Sequence, residues 1–134
     1  MGGCRVSRSR NPHLQALDEL KLVYIAGPFR AATPWLVEEN VRRAERLALD
    51  VWKEGAVAMC PHTMNRNFDK ALPDAAFLNG ALALLARCDA LITVPGWESS
   101  RGTQAEVRFA QERCMPVFNS LAELGIWLVK LRQN

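Results

Sequence analysis

The sequence predicts an α/β fold: a three-layer, flavodoxin- or Rossmann-like arrangement with a four- to five-stranded parallel sheet and helices on both faces. Short apolar runs rich in β-branched residues alternate with longer amphipathic segments, which is the pattern of successive βα units. Glycine, proline or serine stands at most of the junctions, where turns and helix caps require them. The 134 residues and the 49% hydrophobic content suit one domain with a real core.

Positive charge is concentrated in an N-terminal tail, residues 1–12, and the rest of the chain, its body, has no net charge. The formal charge is +3, and residues 1–12 carry three arginines and no acid, so the remainder is neutral overall. We therefore expect residues 1–20 to be an N-terminal extension, disordered or partly helical, and residues 21–134 to be the domain. A neutral body argues against a nucleic-acid groove, so no nucleic-acid partner is expected.

Cysteine spacing and hydropathy favour a cytoplasmic protein without metal or cofactor. The four cysteines are widely spaced and form no C-x-x-C pair, so neither a zinc site nor a redox pair is indicated. Residues 1–20 lack the apolar core of a signal peptide. The richest apolar stretch, residues 75–94, is interrupted by Asn79, Arg87 and Asp89, so we expect no membrane span and no membrane partner.

The first half of the domain predicts two βα units. Residues 22–26 form an apolar strand that Gly27 and Pro28 end. Thr33 caps the following helix, which has Pro34 at its first position and continues to the glycine at position 55. Residues 56–60 predict a second strand, which ends at the Pro61–His62 step.

The second half continues the alternation. Residues 63–73 predict a polar loop that acts as a lid, and Asp74 is expected to cap a helix that runs to about residue 86. This helix is apolar on nearly every side, so one side is expected to cover the sheet and another to contact a subunit in a homodimer or larger oligomer. Residues 90–94 and 115–118 predict two further strands, and Ser120 caps a last helix.

The stretch from Pro95 to Glu106 is the candidate functional centre. It joins a buried strand to a helix, the kind of junction where α/β proteins bind ligands. Ser99 or Ser100 can cap the helix, and Gly102 lets a ligand approach the backbone. Free amides at a helix start attract phosphate. Glu106 lies about one turn inside, where the helix dipole favours its ionised form and makes it a candidate nucleophile.

The predicted strand order brings a second loop to this junction. In flavodoxin-like order the second strand lies beside the first, and the first beside the third. The loop of residues 27–30 then meets the loop of residues 97–102 at the switch point. This places Gly27, Pro28, Phe29 and Arg30 among the candidate substrate-binding residues.

These two loops resemble the nucleoside 2-deoxyribosyltransferase-like superfamily, which includes deoxynucleoside 5′-monophosphate N-glycosidases and many small uncharacterised bacterial and phage proteins. The resemblance covers residues 21–118 and is carried by VYIAGPFR at 23–30 and SSRGTQAE at 99–106. It implies that a glutamate, here Glu106, attacks the anomeric carbon of a nucleoside or nucleotide and expels the base. Water or another base then takes the glycosyl group. By the same resemblance, Tyr24 lies near the sugar and the glutamate, and Arg30, Ser100 and Gly102 hold the 5′-phosphate.

One position departs from the family pattern. The family usually carries a catalytic aspartate where this chain has Ala81. That aspartate helps to protonate or orient the leaving base, so its replacement weakens the enzyme interpretation. Asn79, Asp74 and His62 are the candidate substitutes. Arg101 either adds a phosphate contact or fills the pocket.

The remaining candidates have two interpretations each. Trp97 either stacks on a base or covers the end of the sheet. His62 and Ser99 are candidate substrate-binding residues, although a hydrogen-bonded loop histidine is the simpler role for His62. Tyr24 is either part of the site or a packed core residue.

We therefore expect an N-glycosidase or deoxyribosyltransferase that acts on a nucleoside or nucleoside 5′-monophosphate without metal or cofactor. The alternative is a nucleotide-binding or sensing protein that kept the pocket and lost the chemistry. A flavodoxin-like interaction module is the third hypothesis, and the anion-friendly loop argues against it. Neither a G-x-G-x-x-G nor a G-x-x-x-x-G-K-[ST] motif is present, which argues against a dinucleotide or ATP enzyme.

Overall fold

The computed structural model describes residues 16–68 and 70–133. The expectation of a disordered tail over residues 1–12 lies outside the described residues. Within the described part, a 3-10 turn at Ala16–Glu19 precedes the domain.

The described strands are β1 (Leu22–Ala26), β2 (Val57–Met59), β3 (Ala90–Thr93) and β4 (Val117–Phe118). The described α-helices are α1 (Pro34–Lys53), α2 (Pro61–Met64), α3 (Asp74–Leu85), α4 (Arg101–Glu112) and α5 (Leu121–Arg132).

The sheet confirms the predicted fold class. Its strand order is β2-β1-β3-β4, and all three pairings are parallel. In register, Tyr24 of β1 lies between Met59 of β2 and Leu91 of β3. Each crossover places a helix on one face or the other, because parallel strands need a long connection to return to the same edge. The β1 and β3 loops consequently leave the same edge of the sheet side by side.

One face of the sheet is covered by α1 and α5. Thr33 caps α1 by accepting a hydrogen bond from the Leu36 amide at 3.2 Å, and Pro34 occupies the first turn, where its missing amide hydrogen costs nothing. The four buried residues of α1 recur at helical spacing: Val41, Ala44, Ala48 and Val51. They pack with alternate residues of β1 and β3 and with Leu124 and Leu128 of α5 into one core cluster. The cluster has this composition because side chains alternate between the two faces of a strand.

The opposite face carries the second core cluster and the candidate site. Tyr24 and Leu91 point to this side, where they pack against Leu85 of α3 and Val107 and Ala110 of α4. Tyr24 is only 1% exposed. A large polar residue is therefore buried in the central strand, directly under the helix that carries the candidate nucleophile.

Two local predictions need correction. Part of the predicted loop is helical, because Pro61–Met64 form α2, which begins with a proline at its first position. Asp74 does not cap α3: the cap position is Pro73, which makes no side-chain cap bond, and Asp74 is the first helical residue. The predicted subunit contact of α3 stays a prediction, and Phe77, Leu78 and Ala81 of this helix line a cavity within the chain.

No helix in the described ranges is both long and apolar enough to cross a bilayer.

Candidate active site

A cavity of about 760 Å³ opens on the face of the sheet that carries α3 and α4. The loop after β1, the short helix α2, the inner side of α3 and the first turns of α4 form its walls. Ten of the residues singled out in the sequence line it: Tyr24, Gly27, Pro28, Phe29, Arg30, His62, Ser99, Ser100, Gly102 and Glu106. The chain thus brings residues up to 82 positions apart into one enclosure, as the separation of Tyr24 from Glu106 shows.

Glu106 and Tyr24 form the floor of this cavity. Glu106 lies in the second turn of α4, on the side that faces β1, and is 9% exposed. The Tyr24 hydroxyl donates a hydrogen bond to Glu106 Oε2. Among the described residues, no hydrogen bond to the other carboxylate oxygen is found, so Tyr24 fixes one side of the carboxylate and leaves Oε1 open to the cavity.

Burial decides the protonation of this pair. Desolvation raises the pKa of Glu106 from its ordinary value of 4.5 to about 7, and the hydrogen bond from Tyr24 opposes that rise. Desolvation, followed by the charge of Glu106, raises the pKa of Tyr24, so the phenol keeps its proton. The sequence favoured an ionised Glu106 because of the helix dipole; in the structure, loss of water outweighs that effect. Glu106 therefore changes between neutral and ionised forms near neutral pH.

The start of α4 has the features of an anion site. Ser100 caps the helix, with its Oγ 3.3 Å from the Thr103 amide and 2.9 Å from Thr103 Oγ1, both of which donate to it. The Ser100 hydroxyl hydrogen is not used in these bonds. Helix geometry also leaves the amides of Arg101 and Gly102 without partners inside the helix. A Cβ built on Gly102 meets no atom within 4 Å, so a ligand can reach this backbone.

Arg30 and Asp74 form an ion pair on the cavity wall. Their side chains are 65% and 67% exposed, so water screens the attraction and the pair contributes little to stability. The hydrogen bond from Arg30 lowers the pKa of Asp74, which keeps this carboxyl ionised. An anion that enters the cavity competes with Asp74 for the guanidinium.

His62 holds the β1 loop in place. Its Nε2 lies 3.0 Å from the carbonyl oxygens of both Gly27 and Pro28, and since both are acceptors, Nε2 carries the proton. Nδ1 is buried and has no hydrogen-bond partner among the described residues. Burial lowers the pKa of His62, with the two carbonyl contacts opposing this, so the ring is neutral. The ring also meets Phe29 edge-on, with 5.9 Å between centroids.

Close packing of the β1 loop explains its glycine. A Cβ on Gly27 would lie 2.5 Å from Val94 Cγ2, well inside van der Waals contact, and Val94 is buried. The β1 and β3 loops can therefore run side by side only with glycine at this position.

Trp97 is the one candidate substrate-binding residue that does not line the cavity. It packs against the second core cluster. It lies in a 3-10 turn, Trp97–Ser99. Of the two interpretations of Trp97, the structure favours the one in which it covers the sheet.

Sequence reasoning missed the apolar wall of the cavity. The aromatic and aliphatic members of this wall are Phe68, Phe77 and Leu78, with Ala81 beside them. The signal was present in α3, since an all-round apolar helix must contact something on each side. The sequence could not tell a cavity wall from a subunit interface.

Within the described ranges, no group of three or more His, Cys, Asp or Glu side chains is placed to hold a metal ion. The family model for a domain of unknown function (DUF7768) matches residues 21–120. The matched region contains every residue that lines the cavity. No curated protein matches the chain significantly.

Proposed function

The chain belongs to the DUF7768 family, and we propose that it cleaves N-glycosidic bonds, or transfers the glycosyl group, in nucleosides or nucleoside 5′-monophosphates through Glu106. The observation that carries the proposal is a buried carboxylate, held on one side by a tyrosine, at the floor of a cavity with a helix N-terminus in its wall. The proposal agrees with the resemblance of the two loops to the nucleoside 2-deoxyribosyltransferase-like superfamily.

The chemistry has two steps. The free oxygen of ionised Glu106 attacks C1′ of the sugar, the C1′–N bond breaks, and the base leaves with the bonding electron pair. A glycosyl ester remains on Glu106. Water attacks C1′ in the hydrolase and loses a proton, which balances the proton that the expelled base takes up from solvent, whereas another base attacks C1′ in the transferase. In both cases the carboxylate is released with overall retention of configuration. Tyr24 keeps its proton throughout and orients the carboxylate.

The substrate's phosphate, where present, fits the start of α4. The Ser100 hydroxyl and the amides of Arg101 and Gly102 are available donors. Arg30 adds positive charge from the opposite loop once a phosphate displaces Asp74, because a dianion competes well against one exposed carboxylate. The aromatic wall then accommodates the base.

The decisive experiment compares two glutamate-to-glutamine variants of the same helix, α4. Wild type, Glu106→Gln and Glu112→Gln are incubated with a panel of nucleosides and 5′-monophosphates, and free base is followed by chromatography. Glu112 lies on the exposed side of α4 and is the matched control. We expect loss of about three or more orders of magnitude in rate for Glu106→Gln and none for Glu112→Gln. Undiminished base release from Glu106→Gln refutes the nucleophile.

The second candidate function is nucleotide sensing. Ala81 favours it, because the described cavity wall offers no carboxyl at that position. Calorimetric titration that detects monophosphate binding, with no base released over hours, selects this function over the enzyme.

We also propose that the protein is a homodimer or larger homo-oligomer. Phe68, Leu72 and Leu78 are 52%, 56% and 42% exposed, and apolar side chains exposed near one another in sequence suit a subunit contact. Light scattering of wild type and Leu72→Glu at micromolar concentration tests it. Wild type is expected to have the larger mass, and a monomeric wild type contradicts the proposal.

A further inference from the structure

The described walls of the cavity offer a nucleophile but no proton for the leaving base. The titratable side chains that line it are Tyr24, Arg30, His62, Asp74, Arg101 and Glu106. Arginine does not give up its proton at physiological pH. The Tyr24 hydroxyl already donates its hydrogen bond to Glu106, and its raised pKa keeps the proton on the phenol.

The two candidate proton donors other than Tyr24, the imidazole of His62 and the carboxyl of Asp74, are both engaged by other groups. The only proton of neutral His62 is on Nε2, where it is held between the carbonyls of Gly27 and Pro28. Asp74 is exposed, paired with Arg30 and kept ionised by that pair. Neither group therefore has a proton to give.

Part of the cavity wall is apolar and aromatic. Phe77, Leu78 and Ala81 form one stripe of α3, and Phe29 and Phe68 add two rings from the neighbouring segments. Aromatic rings attract a flat cationic group through their negative faces. An ionised carboxylate at the floor attracts the same cation.

We infer that this site acts on N-glycosides whose base already carries a fixed positive charge, such as a ring-alkylated purine or a pyridinium base. The inference rests on the proposed function and names its substrate class. When Glu106 attacks C1′, the electron pair of the breaking C1′–N bond returns to the positively charged ring nitrogen. The base leaves as a neutral molecule, and no proton is transferred in this step. Water then attacks C1′, the C1′–O bond to Glu106 breaks, and the water gives one proton to solvent.

A base without a positive charge cannot leave as a neutral molecule unless it receives a proton. Its ring nitrogen would leave as an anion unless a group protonated it, and general acid catalysis of that kind is worth about 10²–10⁴ in rate. The cationic substrate also stabilises ionised Glu106, which burial otherwise disfavours. The described walls of the cavity therefore favour a charged base, because ionised Glu106 and the aromatic rings attract it and none of the described side chains supplies the proton that a neutral base needs.

The test uses matched substrates that differ by one methyl group. Guanine and N7-methylguanine nucleoside 5′-monophosphates, each in ribo and 2′-deoxy form, are incubated with wild type, Ala81→Asp, Ala81→Asn and Glu106→Gln. Each rate of base release is divided by the rate in buffer alone, because the methylated compound is intrinsically more labile. The asparagine of Ala81→Asn has the size of the aspartate in Ala81→Asp but carries no acidic proton.

We expect wild type to accelerate release of N7-methylguanine at least about 100-fold more than release of guanine. Ala81→Asp should raise guanine release about 100-fold, with no gain for the methylated base, while Ala81→Asn gains neither. The wild-type comparison stands by itself if Ala81→Asp fails to fold.

Three results overturn the inference, in distinguishable ways. Equal acceleration of the two bases by wild type means that some group supplies a proton. Release of guanine by Ala81→Asp, with neither base released by wild type, leaves the nucleophile in place and rejects the substrate class. Release of neither base by any variant removes the proposed function itself, and this inference with it.

Discussion

The buried carboxylate of Glu106 predicts a measurable pH dependence of stability. Its pKa is about 7 in the folded protein against an ordinary value of 4.5, so the folded state binds this proton more tightly than the unfolded chain does. The contribution of Glu106 to stability is therefore fully present below about pH 4.5 and is lost as the pH rises through about 7. At about 1.4 kcal/mol for each unit, a difference of roughly 2.5 units amounts to about 3 kcal/mol. Glu106 is 9% exposed, so solvent screening does not remove this cost.

The Glu106→Gln variant isolates the loss of stability that ionisation of the buried Glu106 causes. Glutamine keeps an oxygen that can accept the Tyr24 hydrogen bond, yet it does not ionise. We expect the free energy of unfolding of the variant, relative to wild type, to rise by about 3 kcal/mol between roughly pH 4 and pH 8.5. Urea denaturation at several pH values measures both proteins, and all other titrating groups cancel in the difference.

The control is Glu112→Gln, in which an exposed glutamate of the same helix is neutralised. Its stability relative to wild type should change little across the same pH range. A Glu106→Gln curve that runs parallel to wild type refutes the reasoning, because it shows that the carboxyl is solvated in the folded protein.

Three further predictions follow from individual contacts. Tyr24→Phe removes the hydrogen bond that opposes the raised pKa of the carboxyl, so the pH midpoint of base release should move upward; a downward or absent shift in the pH–rate profile contradicts this. Gly102→Ala places a methyl group in open space beside the free amides, so calorimetry should show monophosphate affinity reduced by about tenfold. The same substitution at Gly80, also open but outside the cavity lining, should leave the affinity unchanged. Gly27→Ala puts a Cβ 2.5 Å from Val94 Cγ2 and should lower the free energy of unfolding by about 1–3 kcal/mol in urea titrations; an equally stable variant would show that the loop can move aside.

Much of the fold was predictable because its signals are local. Thr33 and Pro34 mark the start of α1, and Ser120 marks the start of α5, with its Oγ 3.2 Å from the Glu123 amide. The bounds of β1 agree with the prediction to the residue. Strand order also followed from the sequence, since βαβ crossovers have one hand and few arrangements remain.

Local signals misled where a tertiary contact competes with them. Asp74 has the chemistry of a cap and stands at the right place, but Arg30 from another loop engages its carboxylate and Pro73 takes the cap position. Trp97 lies next to the predicted ligand-binding loop in sequence, yet it packs on the core. In both cases a partner distant in sequence determines where the side chain points, and no window of sequence contains that partner.

The sequence by itself determined the parallel sheet, a helix capped by Ser99 or Ser100 and the pairing of the β1 and β3 loops, because periodicity, capping and crossover handedness are encoded residue by residue. Only the tertiary structure decided the state of the site. Glu106 carries a raised pKa because α4 is pressed onto β1 and excludes water, against the effect of its own helix dipole. His62 lacks a spare proton because two carbonyls of another segment hold it. Desolvation and long-range hydrogen bonds depend on the whole packed chain, so the sequence places these residues at the site and the fold determines their chemistry.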